Sequence, residues 1–262
     1  MSVVAKALEL LNLFSASCPE MGLSQICRTV GRDKATTYRH LAALQNAGFI
    51  EQNPTTKAYR IGPAVLHLAQ LREDSVPRQA GAQDALAELS DETGETAHVS
   101  VLSGTTLHTL AECESTRHSI RAVIDIKTLP LHATASGICA VAFGPADLLQ
   151  AATDNLVPYT PHTPATKAGL IDLVEAARKT GFGSSDRGLE DNIHGLAAPV
   201  FDQNYRLAGS VAVASVANRT APGAIISIKQ GLVKASRKIS HNWGGRVPDQ
   251  VEAIWTVSLA HS

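Results

Sequence analysis

The stretch LPLHATASGICA, Leu129 to Ala140, gathers His132, Ser136 and Cys139 just ahead of an apolar run that reads as a helix. An imidazole, a hydroxyl and a thiol are the parts of a nucleophilic centre for acyl transfer. Their surroundings do not complete one. The residue two before Ser136 is Thr134, so the G-x-S-x-G elbow that would expose a nucleophile is missing. Cys139 lies inside the apolar run ICAVAF, the usual setting of a buried free thiol. His132 stands between Leu131 and Ala133 and reads as a hydrogen-bonded structural residue. No catalytic residue is expected here. No H-E-x-x-H motif or Cys/His pair has ligand spacing, and Cys113 with His118 or an isolated His194 makes no site, so neither metal nor cofactor is expected.

The same stretch has a second property. Thr134, Ala135, Ser136 and Gly137 are all small and lead into the helix. Small side chains let a ligand approach the backbone, and the amides and dipole of a helix start favour a carboxylate or similar anion. The other reading is a tightly packed loop that needs small residues for steric reasons.

The surrounding elements fit a sheet-based binding domain. QAGAQDALAELSDETG is an amphipathic helix with Ala82, Leu86 and Leu89 on one stripe and Gly94 as its stop. TAHVSVLSGTTLHTLAEC gives two strands around Ser103–Gly104. Helices follow over SGICAVAFG, 170–180 and 225–243, and NIHGLAAPVFD and RLAGSVAVASV are apolar strands around the turn 203–205. Helices segregated from antiparallel strands imply an α+β domain. The tail after Gly244 carries no pattern that can be placed.

The chain begins differently. Residues 1–72 carry eight Lys and Arg against four acids, whereas the remaining 190 residues carry 15 against 20. A basic module joined to an acidic body suggests a nucleic-acid partner. Val4, Leu8, Leu11 and Phe14 recur at helical spacing and predict a first amphipathic helix ending near 15–19. Ser24 is placed to cap a second helix over 25–30, with Ile26 and Val30 inward, and Gly31–Arg32 makes a tight turn. Asp33 then caps a third helix over 34–47, stopped by Gly48, with Thr37, Leu41 and Leu44 inward. This is a helix-turn-helix pattern. Its third helix offers Lys34, Thr36, Tyr38 and Arg39 to a major groove. Strands over 49–52 and 58–61 form a wing, with Lys57 at its tip and Arg60 beside it as supporting cations. A three-helix cap with merely solvated charges is the alternative.

RDKATTYRHLAALQNAGFIEQNPTTKAYRIG, with VAKALELLNLF before it and IGPAVLHLAQL after it, resembles the winged helix-turn-helix of the IclR family of bacterial transcription regulators. LPLHATASG and GFGSSDRGLEDNIHGLAAPVFD resemble that family's GAF-like effector domain. The resemblance implies a DNA-binding domain over 1–62, a linker helix over 63–76 and an effector-binding domain over 77–245, leaving 246–262 as a tail of unknown role. It also implies pairing through the N-terminal regions into a homodimer or a dimer of dimers. Among the family's pocket positions, Ala135 and Ser136 match the small loop, Ser185 and Asp186 a polar or acidic position, Ile193 and Gly195 one strand, and Ala212 and Ala214 the next. Gly195, Ala212 and Ala214 stand where other members present a thiol or hydroxyls, and Ile138 replaces a frequent Lys. That suggests a pocket with an apolar body and one polar end, suited to an organic acid.

The expectation is therefore a cytoplasmic, effector-responsive regulator of a palindromic operator. No membrane partner is expected, because the apolar runs are too short to span and the N-terminus lacks a cleavage site. Four scattered cysteines, Cys18, Cys27, Cys113 and Cys139, suit a reducing compartment. The competing expectations are a GAF-like enzyme or sensor whose N-terminal module only mediates pairing, and an architectural DNA binder with no ligand.

Overall fold

The computed structural model describes residues 2–15, 18–75, 77–123, 126–219 and 221–260. They form two compact units, Met1–Val76 and Pro77–Ser262. Positions 16 and 17, where the first helix is expected to end, position 76 of the expected linker, and positions 261 and 262 of the tail lie outside the described residues.

In the first unit, α1 (Val3–Leu8) tightens into a 3-10 turn (Glu9–Leu13). Then come α2 (Leu23–Val30), α3 (Lys34–Asn46), the antiparallel wing strands β1 (Ile50–Gln52) and β2 (Tyr59–Ile61), and α4 (Ala64–Ser75). Leu10, Met21, Ile26, Leu41, Leu44, Ile50 and Tyr59 make its core. Val4 and Leu8, on the apolar face of the expected amphipathic helix, are 67% and 48% exposed. The tighter winding of the 3-10 turn breaks the helical period, so Leu10 takes the fully buried place. The cap of α2 differs as well. Gly22 occupies it in place of Ser24, because Met21 and Tyr59 exchange backbone hydrogen bonds of 2.9 and 2.8 Å and so set where the helix begins.

The second unit opens with α5 (Arg78–Thr93) and the hairpin β3 (Thr96–Ser103) and β4 (Thr106–Cys113). It continues with β5 (Thr128–Leu129), α6 (Ala135–Phe143), α7 (Asp147–Thr153), α8 (Lys167–Thr180) and β6 (Gly183–Asp186). The hairpin β7 (Ile193–Phe201) and β8 (Leu207–Val216) and two helices, α9 (Pro222–Asn242) and α10 (Asp249–Ala260), complete it. The six strands run β5-β4-β3-β8-β7-β6, every neighbour antiparallel.

Period-two alternation divides this sheet into two faces. Ala97, Val99, Leu196, Ala198, Val211 and Val213 pack under α5 and α9. Their neighbours Ala197 and Ala212 turn the other way, against Ala135 and Cys139 of α6. Two buried serines of α9 are tied to β7: Ser236 Oγ donates to Pro199 O at 2.6 Å, and Phe201 N donates to Ser240 Oγ at 3.0 Å. The tail without a pattern is α10. It buries Val251 and Trp255, one helical turn apart, and Trp255 Nε1 donates to Gly181 O at 2.8 Å.

Candidate functional site

Two places carry chemistry, one in each unit. In the first, Asp33 caps α3 by accepting from Thr36 N at 2.8 Å, and this bond holds its carboxyl below the usual carboxylate range. The helix it opens buries Thr37, His40, Leu41 and Leu44 and leaves Lys34, Tyr38 and Arg39 exposed. Thr36 is half-buried, and its hydroxyl receives Arg39 Nη2 at 3.3 Å. The preceding turn is sharp because Gly31 adopts φ +63°, in the left-handed region. At the wing tip Asn53 Oδ1 accepts from Thr55 N and Thr56 N at 2.9 and 3.2 Å, which presents Lys57 to solvent.

Lys34, Arg39 and Lys57 meet no carboxylate among the described residues. Arg60 does: it reaches Glu51 at 2.6 Å and Glu20 at 3.2 Å, so its charge is locally compensated. Arg32 is likewise committed, to Glu9 and to Lys6 O. Arg28, on the exposed side of α2, meets no carboxylate among the described residues either, and the sequence reading did not single it out.

In the second unit a cavity of about 70 Å³ lies between the sheet and the start of α6. Of the residues expected there, Thr134, Ala135, Ser136, Ser185, Ile193, Gly195, Ala212 and Ala214 do line it. Two do not. Gly137 is turned into the packing: a Cβ at that position would stand 2.4 Å from Pro130 O, so its smallness serves close approach and not a ligand. Asp186 points away, exposed and paired with Arg187 at 3.0 Å, because Ser185 takes the inward place of the alternation on β6.

The start of α6 is seated by small residues opposite it. A Cβ on Gly183 would come within 2.3 Å of Ala135 O, and one on Gly195 within 3.0 Å of Ala135 Cβ. Thr134 is the N-cap; its hydroxyl accepts from Gly137 N at 2.9 Å and donates to Pro130 O at 2.8 Å. The Ala135 and Ser136 amides are left with no acceptor among the described residues, as the first turn of a helix requires. Ser185 Oγ is already spent on Ala133 O at 2.7 Å.

His98 was missed by the sequence reading. It sits on β3 opposite Ala212 of β8, lines the cavity, and is 6% exposed. Its Nε2 lies 3.2 Å from Ser136 Oγ, and its Nδ1 has no partner among the described residues. Burial pushes its pKa down to about 4, so the ring is neutral at neutral pH. A serine beside a histidine invites an acyl-transfer reading, but no carboxylate orients Nδ1 and the imidazole is too weak a base. Cys139 is fully buried, and burial pushes its thiol up, away from nucleophilic character. His132 is structural: its Nε2 is 2.9 Å from Val157 O and its ring lies against Tyr159.

Ala122, Val123 and Ile126 line one side of the cavity, and the chain around Ala122 is anchored twice. Thr96 Oγ1 donates to Ala122 O at 2.6 Å. Arg219 donates to Glu95 through two bonds of 2.9 and 2.8 Å and to Ile120 O at 2.9 Å.

Models of two domains match this chain: the IclR helix-turn-helix domain over residues 3–54, and the C-terminal domain of IclR bacterial transcriptional regulators over 74–241. The chain belongs to the IclR family. It is a DNA-binding transcriptional regulator of that family and not an enzyme. It is 26% identical to the HTH-type transcriptional regulator XynR of Escherichia coli over 92% of this chain and 96% of that one. A solved IclR-type regulator from Silicibacter sp. superposes with a TM-score of 0.90 at 36% identity, covering 95% of this chain and 99% of the other. An IclR homologue of Microbacterium hydrocarbonoxydans, solved with 4-hydroxybenzoate, shares the fold at 18% identity and TM-score 0.72, covering 92% and 99%. Among the described residues no helix is long and apolar enough to cross a membrane, and no cluster is placed to hold a metal ion.

Proposed function

We propose that this regulator binds a palindromic operator as a homodimer or dimer of dimers, and that an organic acid in the cavity beside α6 modulates that binding. The observation that carries the effector half is an apolar cavity that ends at two free amides of a helix start. Ile126, Leu129, Leu189 and Ile193 suit an aliphatic or aromatic body, and the amides suit a carboxylate. The 4-hydroxybenzoate bound by the Microbacterium homologue is of this chemical class.

The DNA half rests on Lys34, Thr36, Tyr38 and Arg39 at the start of α3 and Lys57 on the wing, with Arg28 as an added phosphate contact. Arg60, neutralised by two carboxylates, serves mainly to hold the wing. Pairing is supported by α1 and α4. Val3, Val4 and Leu8 of α1 and Leu66, Leu68 and Leu71 of α4 are all exposed, and α4 buries no residue within the single chain. The domain limits of 1–62, 63–76 and 77–245 and a cytoplasmic location accord with this reading, with α10 joined to the effector unit.

The test is operator binding by fluorescence anisotropy on fragments recovered by genome-wide mapping. Arg39→Ala weakens binding about tenfold or more at unchanged effector affinity, and wild-type affinity falls by about a hundredfold or more between 50 and 200 mM salt. A flat salt response contradicts phosphate anchoring.

A further inference from the structure

We infer that His98 and Ser136 together determine which ligand the cavity accepts, supplying a neutral third hydrogen-bond donor beside the free α6 amides and so selecting a monoanionic organic acid. This rests on the effector reading above. The argument is one of counting hydrogens. A neutral imidazole and a hydroxyl carry one N–H and one O–H between them. The 3.2 Å contact between Nε2 and Ser136 Oγ uses one of the two. If Ser136 donates to Nε2, the Nδ1–H is left over; if Nε2–H donates to Ser136, the hydroxyl hydrogen is left over. Either way one donor of this cavity-lining pair remains without an acceptor among the described residues, because Nδ1 has no partner and Ser136 Oγ has only this one. A buried donor left unsatisfied carries a desolvation penalty, which a ligand oxygen removes.

The charges around the pair point the same way. Among the described lining residues there is no Lys or Arg, and the other ionisable side chain is Glu190, exposed at the rim. Glu112, the register partner of His98 on β4, is exposed, and Cys139 on α6 is buried and neutral. Three uncharged donors satisfy one carboxylate. They offer nothing to a second, which would meet apolar side chains or Glu190. An amide in place of the carboxylate forfeits the charge-assisted part of each bond.

The full-length protein, titrated by calorimetry with benzoate, 4-hydroxybenzoate, hexanoate, benzamide and phthalate at pH 5.5 to 8, tests this. At least one monocarboxylate binds, with affinity constant within about twofold across that range, while benzamide and phthalate bind about tenfold more weakly or worse. Because either partner alone still carries a hydrogen, His98→Phe and Ser136→Ala each lose less than the double variant, which loses about tenfold or more. Unliganded melting temperatures check that the variants fold, and the pH series on the unaltered chain does not depend on them. Affinity that rises about tenfold as pH falls from 8 to 5.5 assigns the ligand to an imidazolium and overturns the inference. So does a folded double variant that binds as the wild type does. Should none of the acids bind the wild type, the effector reading itself falls; insensitivity to His98 and Ser136 removes this inference alone.

Discussion

His98 is the residue with the most chemistry that the sequence reading passed over. It lies among Ala97, Val99 and Ser100 in a strand pattern, and nothing local marks it. Only the pairing of β3 with β8 and the seating of α6 bring it to Ser136, 38 residues away. The reverse holds for His132, Ser136 and Cys139, whose closeness in sequence suggested chemistry that their surroundings withhold. Buried neutral His98 also makes stability depend on pH. Above about pH 6.5 the ring is neutral in folded and unfolded chains, and its contribution is complete. Between there and about 4 the unfolded chain takes up a proton that the native ring refuses, so stability falls as pH falls. Urea unfolding at pH 7.5 and 5.0 should therefore show a loss about 1–2 kcal/mol larger for wild type than for His98→Asn. Equal losses would mean that the native ring is protonated.

At the scale of elements, helix stops, caps and hairpins were legible where the signal is local. Asp33 and Gly94 stand where their residue types require, and the hairpin turns at Gly104–Thr105, one residue on from the expected Ser103–Gly104. The expected pocket list was largely brought together for the same reason: Gly195, Ala212 and Ala214 alternate along two long strands, and the α6 start is marked by its small residues. What failed was long-range. The two residues of β5 and the four of β6 are too short for a period to register. The last helix was missed although Pro248, Asp249 and Glu252 mark its start and Val251 and Trp255 share one face. Trp255 stacks on Phe182 at 6.1 Å, its ring lies over Gly181, and it is 1% exposed. Trp255→Ala should cost about 3–5 kcal/mol in equilibrium unfolding. A loss below about 1 kcal/mol would mean that α10 is only laid on the surface.

For the whole molecule, the division into a basic first part and an acidic remainder was visible in the charges, and it coincides with a change of job. The first unit leaves Lys34, Arg39 and Lys57 with no carboxylate partner among the described residues, on the elements proposed to meet DNA. The second places its ion pairs on the outside and around 120, and the described residues of its cavity include no cationic side chain. Regulation requires these two sites to be coupled, and coupling is reciprocal: whatever factor an effector applies to operator affinity, the operator applies to effector affinity. The most direct test is the operator affinity of the full chain, measured with and without a saturating concentration of an acid shown to occupy the cavity. The account predicts a change of about 5- to 150-fold, in either direction, matched by the change in acid affinity when operator is bound. An acid that fills the cavity and leaves operator affinity within about twofold would contradict it.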